Sequence, residues 1–195
     1  MPFLTTDVLP AGTLADHPQP VLATGDGLSL RPWRAADAPA VHRAFQDPAL
    51  HRWHLRAADS EDEAGHWIEE WRLAWAGERD AQWAVVDEAT DRLRGRVALR
   101  GIVLAEGLAE VAYWTVADAR GQGVAARATA ALAGWALDAI GFHRLELTHA
   151  TANEASCRVA AKTGFTLEGT KRSAGLHRDG WHDMHLHARV RGDRP

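Results

Sequence analysis

The chain of 195 residues contains one cysteine, Cys157, and one tyrosine, Tyr113. A single cysteine cannot form an internal disulfide or a multi-cysteine metal site. No apolar run reaches the ~18 residues of a membrane-spanning helix, and the N-terminus lacks the basic and apolar segments of a secretory signal. We therefore expect a cytoplasmic protein with no membrane segment.

Basic residues are too few to suggest a polyanion-binding surface, because the net charge is −4 with neutral histidines. We expect no nucleic-acid partner on this ground. The length is sufficient for one domain with a substantial core, and no repeat or linker interrupts it. The sequence predicts an irregular N-terminal arm over residues 1–26, where prolines are scattered, followed by one domain over residues 27–195.

Hydrophobic alternation in the first half predicts a strand at 28–32, a helix over 35–45 and then an antiparallel meander of strands at 82–86, 93–104 and 108–116. Between them, Ser60 and Glu63 have the spacing of a capping box and predict a helix start. The following helix places Trp67, Trp71 and Trp75 on one face. This tryptophan stripe either packs into the core or walls a substrate pocket.

The second half predicts a long helix from Gly121 to Ile140, a strand over 144–150 and a helix over 153–163 that Gly164 ends. Two final strands, 165–170 and 181–190, flank a turn. The whole pattern predicts an α+β domain with a mixed, mostly antiparallel twisted sheet flanked by helices.

A glycine-rich turn joins the third meander strand to the long helix. Such a turn exposes backbone N–H groups at the positive end of a helix, which is a geometry that binds pyrophosphate. Glycine lets phosphate oxygens approach the backbone closely, and an arginine at the rim adds a charged donor. An ordinary strand–turn–helix connection is the alternative. The turn consists of Arg120, Gly121, Gln122, Gly123, Val124 and Ala125.

Two other nucleotide-binding patterns are absent from the sequence. A dinucleotide-binding fold needs the longer G-x-G-x-x-G pattern within a parallel βαβ unit, and the strands before this turn are predicted to be antiparallel. A Walker loop needs Gly-Lys followed by Ser or Thr, which the chain lacks.

Several motifs follow one another in the C-terminal half: Glu110-x-x-Tyr113-Trp114, the glycine-rich turn, Asn153-x-x-Ser156 and Lys162-x-Gly164-Phe165. In this combination the chain resembles the GNAT superfamily of N-acetyltransferases, and specifically its Rim-type branch of ribosomal-protein N-terminal acetyltransferases. The resemblance covers roughly residues 27–190. It implies a sheet that splays at an acetyl-CoA cleft.

The resemblance also implies which residues hold acetyl-CoA, which is a co-substrate. The pyrophosphate would lie on the glycine-rich turn, and the pantetheine arm would add to the strand edge like another strand. Asn153 would hydrogen-bond the pantetheine amide region. The implied cofactor-binding set outside the turn is Tyr113, Trp114, Thr115, Val116, Asn153, Ser156 and Lys162.

Acetyl transfer requires an amine that has lost its proton, a donor for the oxyanion and a donor for the leaving thiolate. The resemblance implies Glu110 as the base, acting directly or through water, and burial would raise its pKa. It also implies Ser156 as the hydrogen-bond donor to the thiolate, because the position where many members carry a tyrosine acid is Ala160 here. We expect no metal cofactor.

Several alternatives remain open on the sequence. Cys157 is either a covalent acetyl carrier or a small buried side chain, and direct transfer is the preferred interpretation. His185 and His187 form either a metal pair or a polar strand face. The chain is either an enzyme acting on a protein N-terminus or a small-molecule amine, or a non-catalytic acyl-CoA-binding sensor of the same fold. A homodimer formed through the final strands or the N-terminal arm is an expectation that the sequence does not itself show.

Overall fold

The computed structural model describes residues 4–193. The first three residues of the predicted arm and the last two of the predicted domain lie outside this range. The α-helices are α1 (Ala38–Phe45), α2 (Pro48–His51), α3 (Glu61–Ala76), α4 (Val124–Gly134) and α5 (Glu154–Lys162). The strands are β1 (Leu22–Ala23), β2 (Leu28–Pro32), β3 (Ala81–Asp87), β4 (Leu93–Val103), β5 (Leu108–Thr115), β6 (Arg144–Ala150), β7 (Thr166–His177) and β8 (Gly180–Val190).

The eight strands form one sheet in the order β1-β2-β3-β4-β5-β6-β8-β7. Neighbouring strands are antiparallel except β5 and β6, which run parallel. That parallel pair is joined over only three residue pairs, the last being Glu110 opposite Glu146. Beyond Glu110 the two strands separate. The structure thus confirms the predicted α+β domain with a mixed, splayed sheet.

Two apolar clusters cover the two faces of the sheet. The larger cluster packs α4 against one face, through residues such as Leu132 and Val97. The second packs α1 and α3 against the other face, through residues such as Phe45 and Trp67. Because side chains alternate along a strand, neighbouring residues of β4 and β5 belong to opposite faces. Among residues 4–193, no helix combines the length and apolar character that a membrane span needs.

The N-terminal arm is irregular apart from the short β1, yet it packs closely on the domain. Leu9 and Leu14 are 5% and 1% exposed and belong to the larger apolar cluster. The Glu78 carboxylate, just after α3, accepts hydrogen bonds from the backbone N–H groups of Gly12 at 2.8 Å and Leu14 at 2.7 Å. The arm therefore completes the core of the domain that follows it.

The largest differences between predicted and observed boundaries concern the long helix and the final two strands. The long helix begins at Val124, because the turn continues to Gly123, and its last part, Trp135–Ile140, is a π-helix. The final strands are longer than predicted, with β7 and β8 separated by two residues only. Register shifts between Lys171 and Gly175 interrupt their pairing and explain why regular alternation stops early in the sequence.

Candidate active site

The splay leaves one edge of β5 open. Residues 111–115 pair with β4 on one side, and the pairing with β6 on the other side ends at Glu110. An open strand edge presents backbone N–H and C=O groups to an extended ligand. Thr115 and the following Val116 lie at the end of this edge, next to the glycine-rich turn.

The glycine-rich turn has a backbone that favours glycine. Gly121 and Gly123 adopt φ angles of 75° and 74°, a left-handed conformation that side chains with a Cβ rarely take. Gly123 is the N-cap of α4, and no side chain caps the helix. The first N–H groups of α4, beginning with Val124 and Ala125, therefore face outward from the positive end of the helix dipole.

Basic side chains surround the turn. Arg120 forms an ion pair with Asp47, and Gln122 accepts a hydrogen bond from Arg94. Arg127, in the first turn of α4, forms an ion pair with Asp26 at 3.1 Å. Arg120 thus lies beside the turn, and its role as a donor to a ligand stays a prediction. No sequence motif pointed to Arg94 or Arg127, although Arg127 is a basic residue within one turn of the predicted helix start.

Glu110 lies where the sheet begins to splay. Its partner on β4 is Arg100 and its partner on β6 is Glu146. Burial raises the pKa of Glu110 above its usual range, although Arg100, Thr148 and Lys171 act in the opposite direction. Because Arg100 and Arg96 are opposite Glu110 and Trp114 respectively, Glu110 shares the sheet face that carries α1 and α3.

Tyr113 and Ser156 lie together on the opposite face. Asn153 is the N-cap of α5, and its Oδ1 accepts a hydrogen bond from the Ser156 N–H at 3.1 Å. Burial raises the pKa of Tyr113 to about 12, and the nearby Ser156 opposes that shift. The Tyr113 hydroxyl is buried and has no well-aligned hydrogen-bond partner among residues 4–193. It therefore remains protonated and is able to donate to a ligand.

Two predicted binding residues differ from the others in where their side chains lie. The Trp114 side chain is 4% exposed and packs in the second apolar cluster, so only its backbone faces the open edge. Lys162 is exposed at the last residue of α5. It is therefore about 12 Å from the Asn153 end of the helix, at ~1.5 Å of rise per residue.

A groove of about 850 Å³ opens on the face that carries Glu110. Its lining includes Trp67 and Trp71 of the tryptophan stripe. Arg100 also lines the groove, and it is the residue of β4 that lies opposite Glu110. Trp67 is also only 6% exposed and packs in the core, so the stripe is part of the core, and a role in a substrate pocket stays a prediction. The hairpin of β7 and β8 contributes Leu176 and His177 to the groove.

The groove is basic. Among residues 4–193, four guanidinium groups line it without an ion pair to a carboxylate, those of Arg56, Arg79, Arg96 and Arg100. Two carboxylates also line the groove. Asp80 already accepts a hydrogen bond from the Gly101 N–H at 2.8 Å, so Glu70 is the carboxylate that is left to offset the charge of the arginines.

Burial lowers the pKa of Arg96 to about 9, with Arg100 acting in the same direction and Asp80 against it, so Arg96 keeps its charge at neutral pH. Its guanidinium lies 5.4 Å from the Trp71 ring centroid and donates to the Gln82 side chain at 2.5 Å. Burial also lowers the pKa of His54 to about 4, so this ring is neutral. The groove therefore owes its charge to arginine.

Comparison with known proteins identifies the family. A family model described as an acetyltransferase (GNAT) domain matches residues 28–166. YoaA of Bacillus subtilis (strain 168), described as an uncharacterized N-acetyltransferase, is 27% identical over 154 residues, which cover 78% of this chain and 86% of YoaA. The ribosomal-protein-serine acetyltransferase of Escherichia coli (strain K12) is 30% identical over 100 residues, covering 51% of this chain and 56% of that protein.

Solved structures share the fold at low sequence identity. RimL, a ribosomal-protein acetyltransferase solved in complex with coenzyme A, superposes with a TM-score of 0.83 and 20% identity, covering 90% of this chain and all (100%) of that one. The microcin C7 self-immunity acetyltransferase MccE, solved with acetyl-CoA and AMP, gives a TM-score of 0.79 and 19% identity, covering 86% and 94%. With the family model matching most of its length, this chain belongs to the GNAT family of N-acetyltransferases.

Proposed function

We propose that the protein transfers an acetyl group from acetyl-CoA directly to a primary amine within a ternary complex. The observation that carries this proposal is the separation of β5 from β6 immediately after Glu110. The resulting gap joins two faces of different chemistry. Glu110 and the arginine-rich groove lie on one face, and Tyr113, Ser156 and the head of α4 serve the other.

Acetyl-CoA occupies the α4 face in this proposal. The outward N–H groups at the start of α4, together with Arg120 and Arg127, suit its pyrophosphate. The open edge of β5 suits its amide-bearing pantetheine arm. Asn153 has its Oδ1 engaged by the Ser156 N–H, so its amide N–H₂ is the group that it offers to the arm. A contact between Lys162 and the cofactor stays a prediction.

The leaving thiolate needs a hydrogen-bond donor. Ser156 and Tyr113 both place a hydroxyl on this face, and the Tyr113 hydroxyl is buried and lacks a well-aligned partner among residues 4–193. A serine hydroxyl or a tyrosine hydroxyl with a pKa near 12 is a weak acid, yet each donates a hydrogen bond. We therefore assign thiolate stabilisation to Ser156 with support from Tyr113.

Glu110 is the base that accepts the amine proton in this proposal. Its pKa is raised by burial, which brings a carboxylate closer to the pKa that suits proton transfer at neutral pH. The charged groups around it are Arg100 from β4, Glu146 from β6 and Lys171 from β7. Activity therefore falls on acidification, as pH passes downward through the raised pKa.

The test is acetyl-CoA turnover, followed by mass spectrometry on pooled amines, with the variant Glu110→Gln. We expect kcat to fall by roughly 10²–10⁴-fold and the KM for acetyl-CoA to stay close to the parent value. The fall of kcat/KM at acidic pH should also be absent in this variant. Glu146→Gln is the matched control, since Glu146 is the neighbouring carboxylate and already pairs with Arg144 at 3.0 Å. A Glu110→Gln profile that matches the parent would exclude Glu110 as the base.

The acceptor amine is flanked by negative charge in this proposal. Of the five acidic residues of α3, only Glu70 lines the groove, so the groove is not suited to a cationic group. Guanidinium groups without carboxylate partners bind carboxylate or phosphate groups through charge-assisted hydrogen bonds. An acidic protein N-terminus and a phosphorylated small amine share this chemistry.

Paired acceptors test this assignment. Two peptides with the same N-terminal residue, followed by acidic or by basic residues, are compared with a phosphorylated amine and its dephosphorylated form. We expect the anionic member of a pair to have the higher kcat/KM. Arg100→Gln should lower that value about tenfold or more, because a charge-assisted hydrogen bond contributes about 1.5–3 kcal/mol. Arg72→Gln is the control on α3 outside the groove, and equal turnover of both members would refute the assignment.

Family membership favours an enzyme over the alternative of a non-catalytic acyl-CoA sensor. Binding of acetyl-CoA without turnover of any pooled amine would favour the sensor instead. A cytoplasmic location and a homodimer stay predictions. The exposed edge strand β7, which carries Leu167 at 50% exposure, supports self-association, and light scattering of the purified chain measures it.

A further inference from the structure

Four potential metal ligands meet between α5 and the sheet. His149 lies on β6, Cys157 on α5, and His185 and His187 on β8. One ligand atom from each lies within 4.8 Å of every other. His149 and His187 are buried, and the remaining two are half-buried.

Strand register explains this arrangement. His149 is opposite His185 in the antiparallel pair of β6 and β8. His187 is two residues further along β8, so its side chain lies on the same face as that of His185. The helix α5 covers this face and places Cys157, directly after Ser156, over the three rings.

Each of the two buried histidines places one ring nitrogen near a backbone carbonyl oxygen. The Nδ1 of His149 lies 2.9 Å from the carbonyl oxygen of Ala150, and the Nδ1 of His187 lies 3.4 Å from that of Phe165. A carbonyl oxygen only accepts, so the 2.9 Å contact places a proton on the His149 Nδ1 and leaves a lone pair on its Nε2. The two Nε2 atoms are nevertheless only 3.2 Å apart.

At this distance the two nitrogens either share one proton in a hydrogen bond or bind one cation between them. Nitrogens bound at ~2.0–2.1 Å to a tetrahedral zinc ion are roughly 3.3–3.4 Å apart, which is close to the separation observed here. Backbone carbonyls that accept from the second ring nitrogen are the usual outer-shell partners of a ligating histidine. His185 also has a buried Nδ1 without a hydrogen-bond partner among residues 4–193.

We infer that His149, Cys157, His185 and His187 form a binding site for a zinc-class transition-metal cation, with three imidazole nitrogens and one thiolate. On binding, the Cys157 thiol loses its proton to solvent and its sulfur becomes the fourth ligand. The cation cross-links β6, α5 and β8. Its role is to hold α5, and with it Asn153 and Ser156, in place beside the open edge of β5.

A second group of potential ligands serves as an internal comparison. His177, Asp179 and His182 lie around the turn between β7 and β8, and Asp179 already accepts from the His182 ring at 2.7 Å. Its carboxylate is exposed and its histidines lack outer-shell carbonyl partners within the described residues. We therefore assign the cation to the buried group.

The experiment uses the full chain without a polyhistidine tag, dialysed against a chelator and then titrated with Zn²⁺ or Co²⁺. We expect one zinc per chain, a higher melting temperature with zinc, and a thiolate-to-cobalt charge-transfer band with tetrahedral visible bands. Cys157→Ser should remove the charge-transfer band. It should also weaken zinc binding by at least roughly 10–100-fold, the cost of losing even an outer-shell partner.

Two histidine variants serve as controls. His143→Gln changes an exposed histidine. His182→Gln removes one potential ligand of the second group. Both variants should bind zinc like the parent. Circular dichroism verifies that every variant is folded. The inference is overturned if the parent binds no stoichiometric zinc, if Cys157→Ser keeps the parent's affinity and cobalt spectrum, or if His182→Gln abolishes binding.

Discussion

Truncating Leu14 to alanine tests whether the N-terminal arm is part of the folded core. Leu14 is 1% exposed, and it packs with the larger apolar cluster while its backbone N–H donates to Glu78 at 2.7 Å. A buried Leu→Ala change costs about 2–5 kcal/mol. Because the arm is irregular and relaxes around a cavity, we expect a value near 3 kcal/mol. For a domain of this size, that lowers the melting temperature by roughly 6–12 °C.

Urea unfolding at constant m-value gives the free energy directly. Leu4→Ala is the matched control, since it is the same substitution in the same arm at a residue that is 101% exposed. It should change stability by less than about 0.5 kcal/mol. If Leu14→Ala and Leu4→Ala unfold at the same urea concentration, the arm does not contribute to the core and the reasoning fails.

Two further stability predictions concern charged groups. Burial alone would raise the pKa of Glu78, but three backbone N–H donors outweigh it and hold that pKa below its usual range. Glu78→Gln should therefore lower the free energy of unfolding by about 1 kcal/mol at neutral pH. In urea titrations this difference from the parent should vanish as pH falls through the lowered pKa, because the carboxylate is then protonated. A difference that does not depend on pH would argue against this. Asp37→Asn breaks a buried ion pair with Arg31 at 2.8 Å. Because Asp91 still pairs with Arg31 at 2.7 Å, the free energy of unfolding should fall by roughly 2–3 kcal/mol, less than the ~3–5 kcal/mol of a fully broken buried pair. Thermal unfolding that matches the parent would contradict this expectation.

Local sequence signals predicted the parts of this structure that short-range physics controls. Ser60 caps α3 by accepting from the Glu63 N–H at 3.1 Å, and Gly164 has the positive φ of 77° expected after a helix. The meander of β3, β4 and β5 also follows from alternation and short connections. The splay of the sheet was predicted only through the family resemblance, and its position at Glu110 comes from the structure.

Long-range pairing produced the features that the sequence did not reveal. The basic charge of the groove comes from residues that are far apart in the sequence, such as Arg56 and Arg100. They lie close together only because of how α3 packs on the sheet. The histidine cluster likewise depends on the register that puts His149 opposite His185. The spacing of His185 and His187 indicated that these two side chains share a strand face. It did not indicate that His149 and Cys157 lie beside them.

The gap between β5 and β6 has a kinetic consequence for the proposed reaction. If acetyl-CoA lies on the α4 face and the amine on the face of Glu110, the two substrates meet through the sheet and do not share an entrance. Neither substrate then has to arrive first, and neither product blocks the exit of the other. A compound that joins the CoA sulfur to an acceptor by a short linker would pass through the gap and occupy both faces at once.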